Sequence, residues 1–177
     1  MDTAIYLTAV TLSQSATLAI GNVRRAIYRT NGAVSAYAFP ALIPLAWSAY
    51  RPLSDRLPYL ARPQHPITAS ALTPVSSSWF ISLDDSSTHR VEQWQQEVER
   101  SLKEHDAEGI SAGLFPCFPG IFLCSGAGRG DTAPAVSIEP IPAVNDARIT
   151  CFDISYDDSC PWWEDLTYSQ LWSKHIS

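Results

Sequence analysis

The chain has 177 residues, of which 46% are hydrophobic and 17% are charged, and its formal net charge is −6. This composition is typical of one globular domain with a sizeable core, and it excludes an intrinsically disordered chain. The acidic balance, with an isoelectric point near 5.1, argues against broad electrostatic binding to duplex DNA or to an anionic membrane. A local basic patch is still compatible with this charge, so an RNA end stays open as a partner.

The cysteines and the first residues indicate a cytoplasmic protein. Cys117, Cys124, Cys151 and Cys160 contain no CxxC pair, so we expect no structural zinc site and no other metal site. The first four residues, Met-Asp-Thr-Ala, lack the basic region of a signal peptide, and no apolar run approaches the length of a membrane span. We therefore expect reduced thiols, a cytoplasmic location and no membrane partner.

The first half of the chain is predicted to form a strand, a helix and a second strand. Residues 5–10 are rich in β-forming side chains. Residues 16–27 then place their apolar side chains on one helical face, after serines that can cap the helix. Asn31-Gly32 predicts the helix end, because both residues tolerate a positive φ. The apolar run 34–47 predicts a strand that its two prolines bend or place at a sheet edge.

A proline-rich connector, residues 51–77, leads to a second half with the same order of elements. Residues 68–72 within the connector predict a short strand. Residues 79–83 predict another strand, and an apolar stripe at helical spacing over 91–102 predicts a helix after it. The run 110–124, again broken by prolines, predicts the closing strand of this half.

The end of the chain is predicted to add two strands and an aromatic tail. Residues 136–141 and 148–156 have strand-like composition. The tail, residues 157–177, carries several tryptophans and is too aromatic to be free in solvent, so we expect it to pack back on the domain. Residues 1–177 are therefore predicted to form a single domain.

An internal repeat predicts the fold class. Residues 35–40, Ser-Ala-Tyr-Ala-Phe-Pro, recur 76 positions later as residues 111–116, Ser-Ala-Gly-Leu-Phe-Pro, with four of six positions identical. Each copy follows a predicted strand and helix. We therefore predict an α+β fold of duplicated β-α-β halves, about 4–50 and 78–126, with pseudo-two-fold symmetry and two antiparallel-rich sheets around a central cleft.

This order of elements resembles the 2H phosphoesterase superfamily, the LigT-like RNA 2′,3′-cyclic phosphodiesterases, over nearly the whole chain. In that family each half carries a His-x-Thr/Ser motif, and the two histidines act across a cleft as general base and general acid. After Phe-Pro the resemblance places the first motif at Ala41 and Ile43, and the second at Cys117 and Pro119. Neither pair can perform that chemistry. The resemblance therefore implies a divergent pseudoenzyme without the two-histidine mechanism.

Three other features of the sequence are candidate catalytic or binding sites. His65 belongs to His-Pro-Ile-Thr, whose spacing puts the histidine and threonine on opposite strand faces, so a turn histidine is favoured. The loop 126–130, with Arg129, can cradle a phosphate, but it lacks the lysine and helix of a P-loop, so a hairpin connection is favoured. Cys117 is a nucleophile only if a base lowers its pKa, and a buried inert thiol is favoured. We expect no cofactor.

The predicted cleft lining is mostly apolar and aromatic. Such a surface favours a flat ligand, a peptide or the protein's own tail over a phosphate, whose charge would lack partners there. The residues expected to line the cleft are Tyr37, Phe39, Leu42, Phe115, Phe118 and Phe122. The candidate binding residues are Tyr37, Ala41, Ile43, His65, Cys117, Pro119 and Arg129.

The sequence leaves four functions open. The favoured one is a non-catalytic or catalytically diverged 2H-like protein that binds a small ligand, an RNA end or a protein partner in or near the cleft. The second is an active phosphoesterase or other hydrolase that uses Cys117, Arg129 or His65. The third is a protein–protein interaction module that displays tryptophans and the connector. The fourth is a tandem ferredoxin-like RNA-processing protein, against which the acidic charge weighs.

Overall fold

A computed structural model describes residues 2–105, 113–125, 141–142 and 144–176. A 3₁₀ turn, Val34–Tyr37, follows the first helix. None of the helices described is long and apolar enough to cross a membrane. The helices and strands in chain order are β1 (Asp2–Thr11), α1 (Gln14–Asn31), β2 (Leu42–Ser48), β3 (Ala69–Val75), β4 (Ser78–Leu83), α2 (Asp85–His105), β5 (Gly120–Ser125), β6 (Arg148–Asp157) and β7 (Thr167–His175).

The strands form two antiparallel sheets. One sheet has the order β2-β1-β6-β7 and the other has the order β3-β4-β5. In each sheet the strand before a helix pairs antiparallel with the strand after it, β1 with β2 around α1 and β4 with β5 around α2. The chain is therefore an α+β protein with two antiparallel sheets, as its sequence predicts.

Local signals in the sequence explain the bounds of α1. The Ser13 hydroxyl accepts a hydrogen bond from the Ala16 N–H at 3.4 Å and caps the first turn. The helix ends at Gly32, which has a φ of 68° and donates its N–H to the Tyr28 carbonyl. The helix predicted over 16–27 is thus confirmed. Its buried apolar side chains are Ala16, Ile20, Val23 and Ile27.

Side-chain hydrogen bonds also fix the start of α2. The Asp84 carboxylate accepts hydrogen bonds from the Thr68 hydroxyl and from the Ser87 N–H, and these bonds lower the pKa of Asp84. The stripe predicted over 91–102 is buried. Within it, the Trp94 indole donates to the Ala61 carbonyl at 3.0 Å and ties the connector to α2.

Both proline-broken strands are shorter than predicted. In the run 34–47, residues 34–37 form the 3₁₀ turn and β2 begins only at Leu42. Pro40 has no N–H to give to a ladder, and the carbonyls of Phe39 and Pro40 accept hydrogen bonds from a helix side chain instead. In the run 110–124, β5 begins only at Gly120, and residues 110–112 lie outside the described residues.

The late starts of β2 and β5 change which Phe-Pro segment of the second half corresponds to Phe39-Pro40. β2 begins two residues after Pro40, whereas β5 begins four residues after Pro116 and one residue after Pro119. Phe118-Pro119 therefore lies closer to the register of Phe39-Pro40 than Phe115-Pro116 does, and differs from it by one residue. The offset of 76 residues does not bring equivalent strand positions together.

The structure confirms two further predicted strands and changes the prediction for the tail. The connector ends in β3, which confirms and lengthens the strand predicted over 68–72. β6 confirms the strand predicted over 148–156. Residues 136–140 lie outside the described residues, and 141–142 are not in a strand. The predicted tail, residues 157–177, instead contains β7, an edge strand paired with β6.

Buried apolar residues form two clusters. The first packs the apolar faces of α1 and α2 against residues such as Ile43, Ile81 and Ile149. The second, here called the aromatic cluster, joins β1, β2 and β6 of the larger sheet to β4 and β5 of the smaller one. The aromatic cluster lies where the sequence predicts a cleft.

Candidate functional site

The aromatic cluster is closely packed. Phe115 and Phe122 are stacked, with ring centroids 3.8 Å apart. Phe39 meets the edge of Phe115 at 5.4 Å, and Trp162, from the segment between β6 and β7, lies 5.6 Å from Phe39. The expected lining residues Phe39, Leu42, Phe115, Phe118 and Phe122 all belong to this cluster.

Tyr37 does not belong to it. Its side chain is 54% exposed, and its ring meets the edge of the Tyr28 ring on α1 at 5.4 Å. The prediction that Tyr37 lines the cleft is therefore wrong, because the 3₁₀ turn rotates it outward. Ser35 in the same turn is buried and accepts a hydrogen bond from the Ser125 N–H at 3.1 Å, so that serine has a structural role.

A buried arginine supports the cluster from the helix side. The Arg24 guanidinium donates to the carbonyls of Phe39, Pro40 and Phe122. Its Nε is buried without a partner among the described residues. Burial lowers the pKa of Arg24 to about 10, so the group is still charged at neutral pH. Sequence reasoning missed it, although position 24 lies on the apolar face of α1.

An open groove of about 410 Å³ lies beside the aromatic cluster. We call it the β6–β7 groove, because those two strands supply half of its lining. Ala41, one of the candidate binding residues, also lines it. The residues that line it are Thr11, Leu12, Thr17, Pro40, Ala41, Arg148, Phe152, Tyr168, Gln170 and Ser173.

Hydroxyl groups from three strands form a closed hydrogen-bond circuit at this groove. Arg148 Nε donates to Ser173 Oγ at 2.8 Å, so the Ser173 hydroxyl is free to donate to Thr150 Oγ1 at 3.1 Å. Thr150 can then donate to Thr11 Oγ1 at 3.0 Å, and Thr11 donates to the Arg148 carbonyl. The circuit fixes the position of the Arg148 side chain.

The guanidinium of Arg148 retains hydrogen-bonding capacity. It also donates from Nη1 to His175 Nε2 at 2.7 Å and from Nη2 to the Ser173 carbonyl at 3.3 Å. Two of its five N–H groups have no partner within the part of the chain described. The Asp146 carboxylate lies 3.7 Å from His175 Nδ1, on the far side of that ring from Arg148.

The groove combines one positive charge with flat aromatic surface. Arg148 is the only charged residue among the ten described residues that line it. The Tyr168 ring stacks on Phe39 at 5.9 Å and meets the edge of Phe152 at 5.9 Å, while 45% of the tyrosine stays exposed. This arrangement suits an anionic group at Arg148 and a flat group at Tyr168.

The other motif positions carry no reactive group. Ile43 is fully buried in the first core cluster and cannot bind a ligand. Pro119 is half-buried immediately before β5. Cys117 is partly covered, and its apolar surroundings, with a smaller effect of Glu99, raise the pKa of its thiol to about 12. These positions therefore offer neither a general base nor a thiolate near neutral pH.

His65 is exposed and is not among the residues that line the groove. It lines a separate pocket of about 140 Å³ with His89, whose Nε2 lies 3.1 Å from Gln93 Nε2. Arg129 and the loop 126–130 lie outside the described residues. Among the residues that are described, no three His, Cys, Asp or Glu side chains are grouped so that they could hold a metal ion.

Comparisons with known proteins add one structural likeness. No protein-family model and no curated protein sequence matches this chain. Among solved structures, the crystal structure of TT0787 from Thermus thermophilus is similar, with a TM-score of 0.58 and 16% identity. The match covers 97% of this chain and 97% of that chain. At this identity the likeness concerns the fold alone, and it extends over nearly all of the chain.

Proposed function

We propose that this chain is a 2H-phosphoesterase-like protein that has lost two-histidine catalysis and binds an anionic ligand in the β6–β7 groove. The proposal includes a duplication of two strand–helix–strand units. Its support is that β1-α1-β2 and β4-α2-β5 have the same order and the same antiparallel pairing. A ligand site beside the filled cleft replaces the reaction site of the family.

The loss of catalysis follows from either correspondence of the Phe-Pro segments. With the offset of 76 residues, the motif positions are Ala41, Ile43, Cys117 and Pro119. With Phe118-Pro119 as the second segment, the last two positions become Gly120 and Phe122. General acid–base catalysis needs groups that titrate near the working pH, and none of these residues does.

The observation that carries the binding proposal is the fixed guanidinium of Arg148. The hydroxyl circuit holds the side chain, and two N–H groups stay available for a ligand. A guanidinium recognises a carboxylate or a phosphate through paired N–H donors. Because Tyr168 lines the same groove with a partly exposed ring, we expect a ligand with a flat ring joined to an anionic group.

Calorimetry with three probes tests this function. Adenosine 3′-monophosphate carries both a ring and an anion, inorganic phosphate lacks the ring, and adenosine lacks the anion. We expect the monophosphate to bind at least tenfold more tightly than either fragment. Arg148→Gln and Tyr168→Ala should each weaken its binding about tenfold, on the scale of one charge-assisted or stacking contact. Arg29→Gln, at the exposed end of α1, is the control with the same change of charge.

Two results would contradict the proposal. The first is equal binding of adenosine and its monophosphate, because Arg148 would then have no role. The second is turnover of a 2′,3′-cyclic nucleotide that His65→Ala abolishes, which would make the connector histidine catalytic and favour the enzyme hypothesis. The melting temperature of each variant should be measured, since Arg148 also bonds to Ser173.

A further inference from the structure

The connector and β7 form a second polar surface. Trp172 and Lys174 alternate with Ser173 along β7, so they lie on the face of the strand opposite the groove. The Trp172 indole donates to the Pro52 carbonyl at 2.9 Å, and Lys174 Nζ donates to the carbonyls of Ser54 and Leu57 at 2.9 and 3.0 Å. These bonds fix the backbone of the connector over residues 52–57.

This fixed segment presents a cluster of positive charge. Arg51 and Arg56 line a pocket of about 170 Å³ whose lining includes no acidic residue among those described. Lys174 adds a third cation, and Asp55 is the one acidic residue in the stretch 50–60. A local basic surface therefore exists within a chain whose net charge is −6.

Aromatic faces lie among these charges. Tyr59 is 81% exposed, and Lys174 Nζ lies 5.0 Å from its ring centroid, so the cation covers one face of the ring and the other face meets solvent. Tyr50, which lines the pocket with the two arginines, is 46% exposed. We call this surface the connector patch and define it as Tyr50, Arg51, Leu53, Arg56, Tyr59 and Lys174.

We propose that the connector patch binds single-stranded nucleic acid, with phosphates at Arg51, Arg56 and Lys174 and bases stacked on the two tyrosines. Cations interleaved with exposed rings are the means by which proteins hold single strands without reading their sequence. A duplex hides the faces of its bases, so stacking on Tyr59 selects the single strand. This site uses other residues than the groove and does not rest on the proposed function.

Fluorescence anisotropy with a labelled 12-nucleotide oligouridylate tests the proposal. Three cations predict that the logarithm of affinity falls with the logarithm of salt at a slope of about −2. Arg51→Gln and Arg56→Gln should each reduce that slope by about 0.7. Tyr59→Leu should weaken binding roughly tenfold, whereas Tyr59→Phe should retain it, because stacking needs only the ring.

Matched controls separate this patch from general charge effects. Arg29→Gln and Tyr37→Leu change the same residue types outside the patch and should leave binding unaltered. Arg51→Gln and Tyr59→Leu should leave the binding of adenosine 3′-monophosphate in the groove unaltered, so failure here and failure of the groove proposal are distinguishable. A duplex that binds as tightly as the single strand overturns the proposal. The proposal is also overturned if polyglutamate displaces the labelled oligouridylate as well as unlabelled oligouridylate does and Tyr59→Leu has no effect. Those two results together would indicate an acidic peptide as the occupant.

Discussion

The guanidinium of Arg24 in α1 donates a hydrogen bond of 2.7 Å to the carbonyl of Phe122 in β5. The same side chain bonds to the carbonyls of Phe39 and Pro40, just before β2. One buried charge thus connects α1, which lies between β1 and β2 in the chain, to β5, an edge strand of the smaller sheet. It also explains why the backbone at Phe39 and Pro40 does not join the ladder of β2.

Arg24→Met should lower the free energy of unfolding by about 2–4 kcal/mol. Two buried carbonyls and one partly buried carbonyl lose a donor, at about 1–3 kcal/mol for each buried one left unsatisfied, and release of a desolvated charge offsets part of the loss. The free energy of unfolding of Arg24→Lys should lie between those of the parent chain and Arg24→Met, since one ammonium group cannot reach all three oxygens. Urea unfolding measures this effect. Arg25→Met, an exposed neighbour bonded only to Asn22 among the described residues, should stay within about 0.5 kcal/mol. Equal losses for Arg24→Met and Arg25→Met would contradict the connecting role.

The helices and most strands could be predicted because their signals are local. The apolar stripes of α1 and α2 repeat at helical spacing, and Ser13 and Gly32 lie at the ends of α1. β7 could not be predicted in this way, because its residues Thr167–His175 are mostly polar and show no apolar alternation. Its strand structure depends on pairing with β6, which a pattern within the segment does not reveal.

The groove could not be predicted for a related reason. Thr11 and Thr150 are 139 positions apart in sequence, and sheet pairing alone brings their hydroxyls together. The repeat is also ambiguous, because Phe-Pro occurs at both 115–116 and 118–119, and only the second pair adjoins β5. Arg24 is the residue that the sequence could have revealed, as a charge on an apolar helix face.

Buried thiols should make the protein less stable as the pH rises from 9 to 10. Burial raises the pKa of Cys117 and Cys151 to about 12 and that of Cys124 to about 11, from 9.0. Over this range the unfolded chain releases thiol protons that the folded chain retains, so the free energy of unfolding falls with pH. Arg24 acts in the opposite direction, but only from about pH 10 upward, because its folded-state pKa is about 10.

Urea unfolding at pH 7.5, 9 and 10 measures this dependence. Cys151→Ala should reduce the fall between pH 9 and 10, because it removes one of the titrating groups. Cys160→Ala, in the segment between β6 and β7, is the matched control and should change the fall less. If both variants keep the full dependence of the parent chain, the buried thiols are not its cause.

Gly113→Ala should destabilise the protein because the methyl group has no room. A Cβ built on Gly113 would overlap Cδ1 and Nε1 of the Trp47 indole. The indole cannot move away easily, since Trp47 is 3% exposed, donates to the Phe115 carbonyl at 2.9 Å and packs on the Phe115 ring. Overpacking of this kind costs about 1–3 kcal/mol.

Gly21→Ala is the control with the same chemical change. Nothing lies within 4 Å of a Cβ built at Gly21, and alanine in the interior of α1 should stabilise the protein by about 0.5–1 kcal/mol. Urea unfolding followed by tryptophan fluorescence compares the two variants, and a Gly113→Ala protein as stable as the Gly21→Ala protein would show that residue 113 does not pack against Trp47.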